Sequence, residues 1–159
     1  MKNLNDLLVL LARSDIEFIV IGGFAGVLHG STLVTRDLDV CTLLTAENIE
    51  KLRVLFKNFH PKHRMTPQRL SFLNVPPPGQ SLNNLYLETD LGIVDFISAV
   101  SGVGDFQRLT ENAITIEIKG EEIKVISISD LIKAKQSLGR DKDKLAATEL
   151  LAIQAKKKT

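Results

Sequence analysis

The chain has no tryptophan, one tyrosine (Tyr86), one cysteine (Cys41) and two methionines in 159 residues. A single cysteine excludes an internal disulfide and a cysteine-rich zinc site. Cys41 lies in an apolar run, where the expected state is a buried thiol rather than a nucleophile. Neither sign of charge dominates: 20 Lys and Arg stand against 19 Asp and Glu, a formal net charge of +1. That balance removes the global field by which a protein coats nucleic acid, so any polyanion contact must come from a local patch. No apolar run approaches the ~18 residues of a membrane span, and no charged-then-apolar leader opens the chain. The expectation is a cytoplasmic protein with no membrane partner. A hydrophobic share of 44% and a charged share of 25% are those of a folded globule, and the length suits one domain over 1–159.

Periodicity supplies the elements. Leu4, Leu7, Leu8 and Leu11 recur at helical spacing, with Asn3 as N-cap and Asp6 in the first turn. Residues 16–21 form an interior strand, apolar on both faces after Glu17. Gly22-Gly23 turns the chain, and a short helix over 24–29 stops at Gly30. A strand over 33–44 carries Asp37 and Asp39. Thr45 caps a helix with Ile49, Leu52, Leu55, Phe56 and Phe59 as its buried stripe. A basic segment follows, in which Lys57, His60, Lys62, His63, Arg64 and Arg69 are interleaved with Pro61 and Pro67. It reads either as a solvated connection or as a surface for phosphates; a zinc site at His60 and His63 lacks further ligands. Strands are expected over 70–75, 84–89 and 93–98, the last two joined by a tight turn at Asp90-Leu91-Gly92. A hairpin over 113–126 turns at Lys119-Gly120. A C-terminal helix pair spans about 129–155, with Ser129 as N-cap and Gly139 between the helices. In its last helix Leu145, Leu150, Leu151 and Ile153 are expected to pack inward, ahead of a frayed tail of lysines at 156–158. The fold class is α/β (α+β), a small mixed sheet flanked by helices.

The aspartates carry the chemistry. A strand has a side-chain period of two, so Asp37 and Asp39 project to one face, where they repel unless a cation joins them. The Gly22-Gly23 turn lets backbone amides approach an anion closely. Asp95 sits inside Ile93-Val94-Asp95-Phe96-Ile97, a run with no evident wet face. Burying even a neutral polar group without a partner costs ~2–7 kcal/mol, and the simplest partner is a metal shared with Asp37 and Asp39. Three hard carboxylates suit magnesium, with manganese as the alternative, in a two-ion site for phosphate chemistry. Glu88 could pair with a cation or face solvent. His29, on the short helix, suits packing or capping.

Ile21-Gly22-Gly23, thirteen residues, then Asp37-Leu38-Asp39-Val40 resembles the signature of the polymerase-β-like nucleotidyltransferase superfamily. Asp95 looks like that family's third carboxylate. The later Lys135-x-x-x-Gly139-Arg140-x-Lys142-Asp143 resembles the C-terminal helix pair of small prokaryotic members, among them toxins of abortive-infection and toxin–antitoxin systems. The resemblance implies transfer of a nucleoside monophosphate from an NTP such as ATP to an acceptor hydroxyl on RNA, tRNA or protein, with release of pyrophosphate. It implies that Asp37, Asp39 and Asp95 are the catalytic metal ligands, that Gly22 and Gly23 hold the triphosphate, and that Lys135 faces the nucleotide. Arg36 either pairs with a core acid or reaches a phosphate. The chain lacks the separate substrate-binding domain of larger members, which leaves room for a cognate antitoxin or other partner. The rival expectation is a nucleotidyltransferase-fold module that binds a nucleotide or a protein without turnover.

Overall fold

A computed structural model describes residues 4–157. The N-cap role expected of Asn3 and the end of the lysine tail at Lys158 lie outside the described residues. The described chain runs α1 (Leu4–Ala12), β1 (Ile19–Ile21), α2 (Gly22–Leu28), β2 (Asp37–Cys41) and α3 (Ala46–Phe56). It continues through a 3-10 turn (Lys57–Phe59), β3 (Lys62–His63), β4 (Asn84–Thr89), β5 (Gly92–Ile97), β6 (Ala99–Val100) and β7 (Gly104–Asp105). Then come α4 (Phe106–Asn112), β8 (Ile114–Ile118), β9 (Glu121–Val125), α5 (Ile128–Leu138) and α6 (Asp141–Lys157).

Seven strands form one mixed sheet in the order β3-β4-β5-β2-β1-β9-β8, and β6 and β7 pair separately. The α/β class with helices against a mixed sheet is the architecture expected from the sequence. At the centre, β2 runs antiparallel to β1 and parallel to β5. Leu38 aligns with Val94 and Val40 with Phe96, and all four are fully buried. Phe96 meets Phe56 of α3 edge-on, ring centroids 6.3 Å apart, which seats α3 on this apolar face. Removing a Leu or Phe from such a core costs about 2–5 kcal/mol. The opposite face carries Asp37, Asp39 and Asp95, each half-buried.

Several local expectations are corrected. Gly22 and Gly23 are the first residues of α2 rather than a turn before it. The strand expected over 33–44 is β2 alone, because its ladder with β1 and β5 spans only 37–41 and the chain before it lines a cavity. No strand forms over 70–75; only an isolated bridge joins Lys62 and Ser71. Buried Arg53 instead ties this loop down, donating to the carbonyls of Phe72 (2.9 Å) and Pro76. Helix α5 starts two residues earlier than a cap at Ser129 implies: its N-cap is Ser127, whose hydroxyl accepts from the Asp130 amide at 3.1 Å. In α6, Leu150 is buried but Leu145 and Leu151 are exposed, because buried Asp143 and Ala147 take the inward positions. Cys41 is fully buried, and desolvation pushes its thiol up to about 12, the inert state expected. His29 is also buried and bonds the Ile126 carbonyl through Nε2 at 2.7 Å, a packing role.

Candidate active site

Register brings the carboxylates together. Asp39 of β2 aligns with Asp95 of β5, and Asp37 stands two residues along the same face. Ile21 flanks Asp39 from β1, and Tyr86 flanks Asp95 from β4. The run around Asp95 does have a wetter face, contrary to the sequence reading: Ile93, Asp95 and Ile97 alternate with buried Val94 and Phe96. The sheet is covered on one side here and opens to cavities on the other. That single-sided cover cannot be read from an apolar run.

Two cavities meet at this face. One of about 410 Å³ is lined by Gly22, Gly23, Arg36, Asp37, Lys142 and Asp143. The other, of about 490 Å³, is lined by Tyr86, Asp95, Ser101 and the apolar side chains of Ile97, Val100, Leu131 and Leu138. Gly22, Asp39, Lys135 and Arg140 belong to both, so Asp39 stands at their junction.

Each wall has a local cause. Gly22 takes a left-handed φ of +68°, and a Cβ there would meet the Asp39 carboxylate. A Cβ on Gly23 already lies 3.1 Å from Thr35 Oγ1, so the pair leaves no room for larger side chains. Ile21, the N-cap of α2, supplies no side-chain hydrogen bond to the helix amides. Arg36 precedes β2, is exposed, and lines the first cavity with no ion pair among the described residues. It does not make the core-acid pairing that was one of its two expected placements. Lys135 is nearly buried and stands 3.7 Å from Asp143, whose carboxylate also takes Arg140 Nε at 2.5 Å. Asp143 thus holds two cations over the junction. Those neighbours, Arg140 first, keep the Asp143 carboxyl below its usual range. Glu149 of α6 accepts from the Thr32 hydroxyl at 2.6 Å and from Ser31, fastening the loop that leads to Arg36.

The acidic face is short of positive charge. Burial first, then the charges of Asp95 and Asp37, push the Asp39 carboxyl up to about 7. Asp95 is raised mainly by burial, opposed by Arg64. Arg64 Nη2 lies 2.6 and 2.5 Å from the two Asp95 carboxylate oxygens. Among the described residues, no three His, Cys, Asp or Glu side chains stand grouped closely enough to hold a metal ion as they are placed. The donor chemistry nevertheless fits one: Asp37 and Asp39 are adjacent hard carboxylates whose repulsion a divalent cation would relieve, and Asp95 fits once freed of Arg64.

Arg64, Arg140 and Asp143 are the contributors the sequence reading did not single out as site residues. Arg64 lay within the basic segment, but nothing in its spacing points to Asp95. The contact arises because β3 and β4 carry the segment back along β5, with the Arg64 amide donating to the Tyr86 carbonyl at 3.0 Å. Two other members of the segment form ion pairs, His60 with Asp90 and Arg69 with Glu88, and His63 bonds the Val75 carbonyl. Glu88 is therefore the partner of an arginine.

No protein-family model and no curated protein matches the chain. Solved structures do. An inferred nucleotidyltransferase from Thermotoga maritima is 19% identical with a TM-score of 0.55, over 94% of this chain and 90% of that one. The lincosamide antibiotic adenylyltransferase LnuA, bound to lincomycin, is 16% identical with a TM-score of 0.59, over 94% and 95%. An antigenic nucleotidyltransferase-like protein from Paracoccidioides brasiliensis is 19% identical with a TM-score of 0.55, over 94% and 74%. These three structures are each similar to the chain over 94% of its length. The chain therefore has the nucleotidyltransferase fold.

Proposed function

We propose that the chain is a metal-dependent nucleotidyltransferase, moving a nucleoside monophosphate from an NTP to an acceptor hydroxyl with release of pyrophosphate. The observation that carries this reading is the alignment of Asp39 with Asp95, with Asp37 on the same face, at the junction of two cavities that share Lys135 and Arg140. The triphosphate lies in the first cavity, met by the amides of Gly22 and Gly23 and by Lys135, Arg140 and Arg36. Asp37, Asp39 and Asp95 would hold magnesium, or manganese, which when bound would supply charge neutralisation at the phosphates and acidify the acceptor hydroxyl. The acceptor enters the second cavity beside Asp95. Its oxygen bonds to the α-phosphorus while the bond from that phosphorus to the oxygen bridging the β-phosphate breaks. Pyrophosphate leaves, and the hydroxyl proton passes to the Asp95 carboxylate.

The acceptor belongs to this reading by chemistry alone: a hydroxyl that reaches Asp95. The family resemblance favours RNA, tRNA or a protein, in a toxin-like component with a cognate antitoxin. The second cavity has the volume of a drug-sized site, and LnuA is a lincomycin-bound adenylyltransferase, so small hydroxyl compounds belong in the same panel. The test is transfer of label from α-labelled NTP onto tRNA, protein and antibiotic acceptors, together with pyrophosphate release. Wild type is expected to label one class and Asp39→Asn none. Labelling that survives Asp39→Asn would remove the aspartates from the reaction.

One observation favours a second reading. Arg64 occupies both oxygens of Asp95, as it would in a nucleotide-binding module without turnover. Calorimetry with NTP and magnesium separates the two: binding with no pyrophosphate release across the panel favours the silent module.

A further inference from the structure

We propose that Arg64 is a built-in competitor for the cation site at Asp95, a guanidinium that holds the carboxylate in the metal-free protein and must release it before an ion binds there. The inference rests on the metal-binding reading of Asp37, Asp39 and Asp95 given above.

Four observations converge. The guanidinium contacts both oxygens of Asp95, at 2.6 and 2.5 Å, and so covers the lone pairs that a metal ion would use. The Arg64 main chain is held independently, by the hydrogen bond that its N–H donates to the Tyr86 carbonyl. Release therefore requires the side chain alone to move. The guanidinium passes 5.8 Å from the centre of the Tyr86 ring, which lines the cavity beside Asp95, so a path into open space adjoins the pair. Finally, Arg64 Nε is buried and makes no hydrogen bond. An unsatisfied buried donor opposes the closed pairing, and swinging outward hydrates that nitrogen. The closed state is thus held by one strong contact and weakened by one missing contact, the balance expected of a side chain with two positions.

The consequence is arithmetic. If Arg64 occupies Asp95 in most molecules, the apparent affinity for the ion is the intrinsic affinity multiplied by the small open fraction, and removing the guanidinium restores it. The test measures Mn2+ binding without nucleotide, by electron paramagnetic resonance of the free ion, on wild type, Arg64→Gln, Arg64→Lys and Asp39→Asn. Arg64→Gln is expected to bind Mn2+ at least about tenfold more tightly than wild type. Arg64→Lys, which keeps the charge but presents a compact ammonium that is more strongly hydrated than the guanidinium, should fall between them. It also answers the question if the glutamine variant does not fold in EDTA. Equal or weaker binding in the Arg64 variants, with binding lost in Asp39→Asn, overturns the competitor and makes Arg64 a support for Asp95. Binding that Asp39→Asn leaves intact, or no binding in any variant, overturns the metal reading and the competitor with it.

Discussion

Gly22 lies so close to Asp39 that a Cβ on the glycine would stand 2.4 Å from the carboxylate Oδ2. The first residue of α2 and the middle of β2 therefore share one small volume, and the glycine is the residue that lets the carboxylate occupy it. The left-handed φ of +68° adds a second reason for glycine.

Gly22→Ala is accordingly expected to lower stability by at least about 1–2 kcal/mol, the cost of a side chain in left-handed backbone. It is also expected to displace Asp39 and abolish nucleotidyl transfer. Urea unfolding and the labelling assay measure the two effects separately. A fully active alanine variant would show that the close approach is dispensable.

The raised carboxyl of Asp39 makes the metal-free protein sensitive to pH. Its folded value of about 7 exceeds the ordinary 3.8, so between those values the folded chain keeps a proton that the unfolded chain has lost. Stability in EDTA must then fall as pH rises through that window, by at most ~1.4 kcal/mol per pH unit. Below the window the group contributes no slope, and above about 7 the loss is complete. Asp39→Asn removes this residue's share of the dependence, leaving the smaller share of Asp95, and should be the more stable protein at about pH 8. Urea midpoints of the two proteins across the window decide it; superimposable curves would refute the assignment.

Asp143 is buried against Lys135 and Arg140. Asp143→Asn leaves both cations without their carboxylate, at a cost of roughly 1–3 kcal/mol, below the value for a fully buried pair because Arg140 is half exposed. If the two cations hold the triphosphate, the variant raises KM for NTP several-fold more than it lowers kcat. Because Asp143 is held below its usual range, its contribution to stability persists at neutral pH and is lost only as pH falls through that lowered value. A variant with unchanged KM would separate the pair from nucleotide binding.

Glu149 fastens α6 to Ser31 and Thr32, five residues before the first aspartate of the site. Glu149→Gln keeps the shape but weakens three charge-assisted bonds, from the Ser31 hydroxyl and from the hydroxyl and amide of Thr32. Amide hydrogen exchange should quicken over residues 31–36 while the sheet strands keep their protection. Uniform exchange throughout would mean that the loop is held by other contacts.

Much of the scaffold was legible because it depends on neighbours in sequence. The period of two put Asp37 and Asp39 on one face, Thr45 capped α3, and the turn after Thr89 was bounded by its strand pattern. The strand expected at 70–75 failed for the opposite reason: its apolar residues satisfy a loop clamped by Arg53, a contact made across about twenty residues. Leu145 and Leu151 were expected inward because leucine favours burial. Asp143 displaced them, since a buried ion pair with α5 and Arg140 sets the rotation of α6.

By itself the sequence determined which residues bear charge, which runs are apolar, and that Gly22-Gly23 precedes a pair of aspartates on one strand face. Those properties are local, fixed by backbone periodicity and glycine's conformational range. Only the tertiary structure decided that Asp95 stands level with Asp39, because the parallel register of β2 and β5 is set by core packing. It alone decided that Arg64, thirty-one residues away from Asp95, supplies the first cation that carboxylate meets. Sheet order is a long-range choice, and the partner of a half-buried carboxylate follows from it.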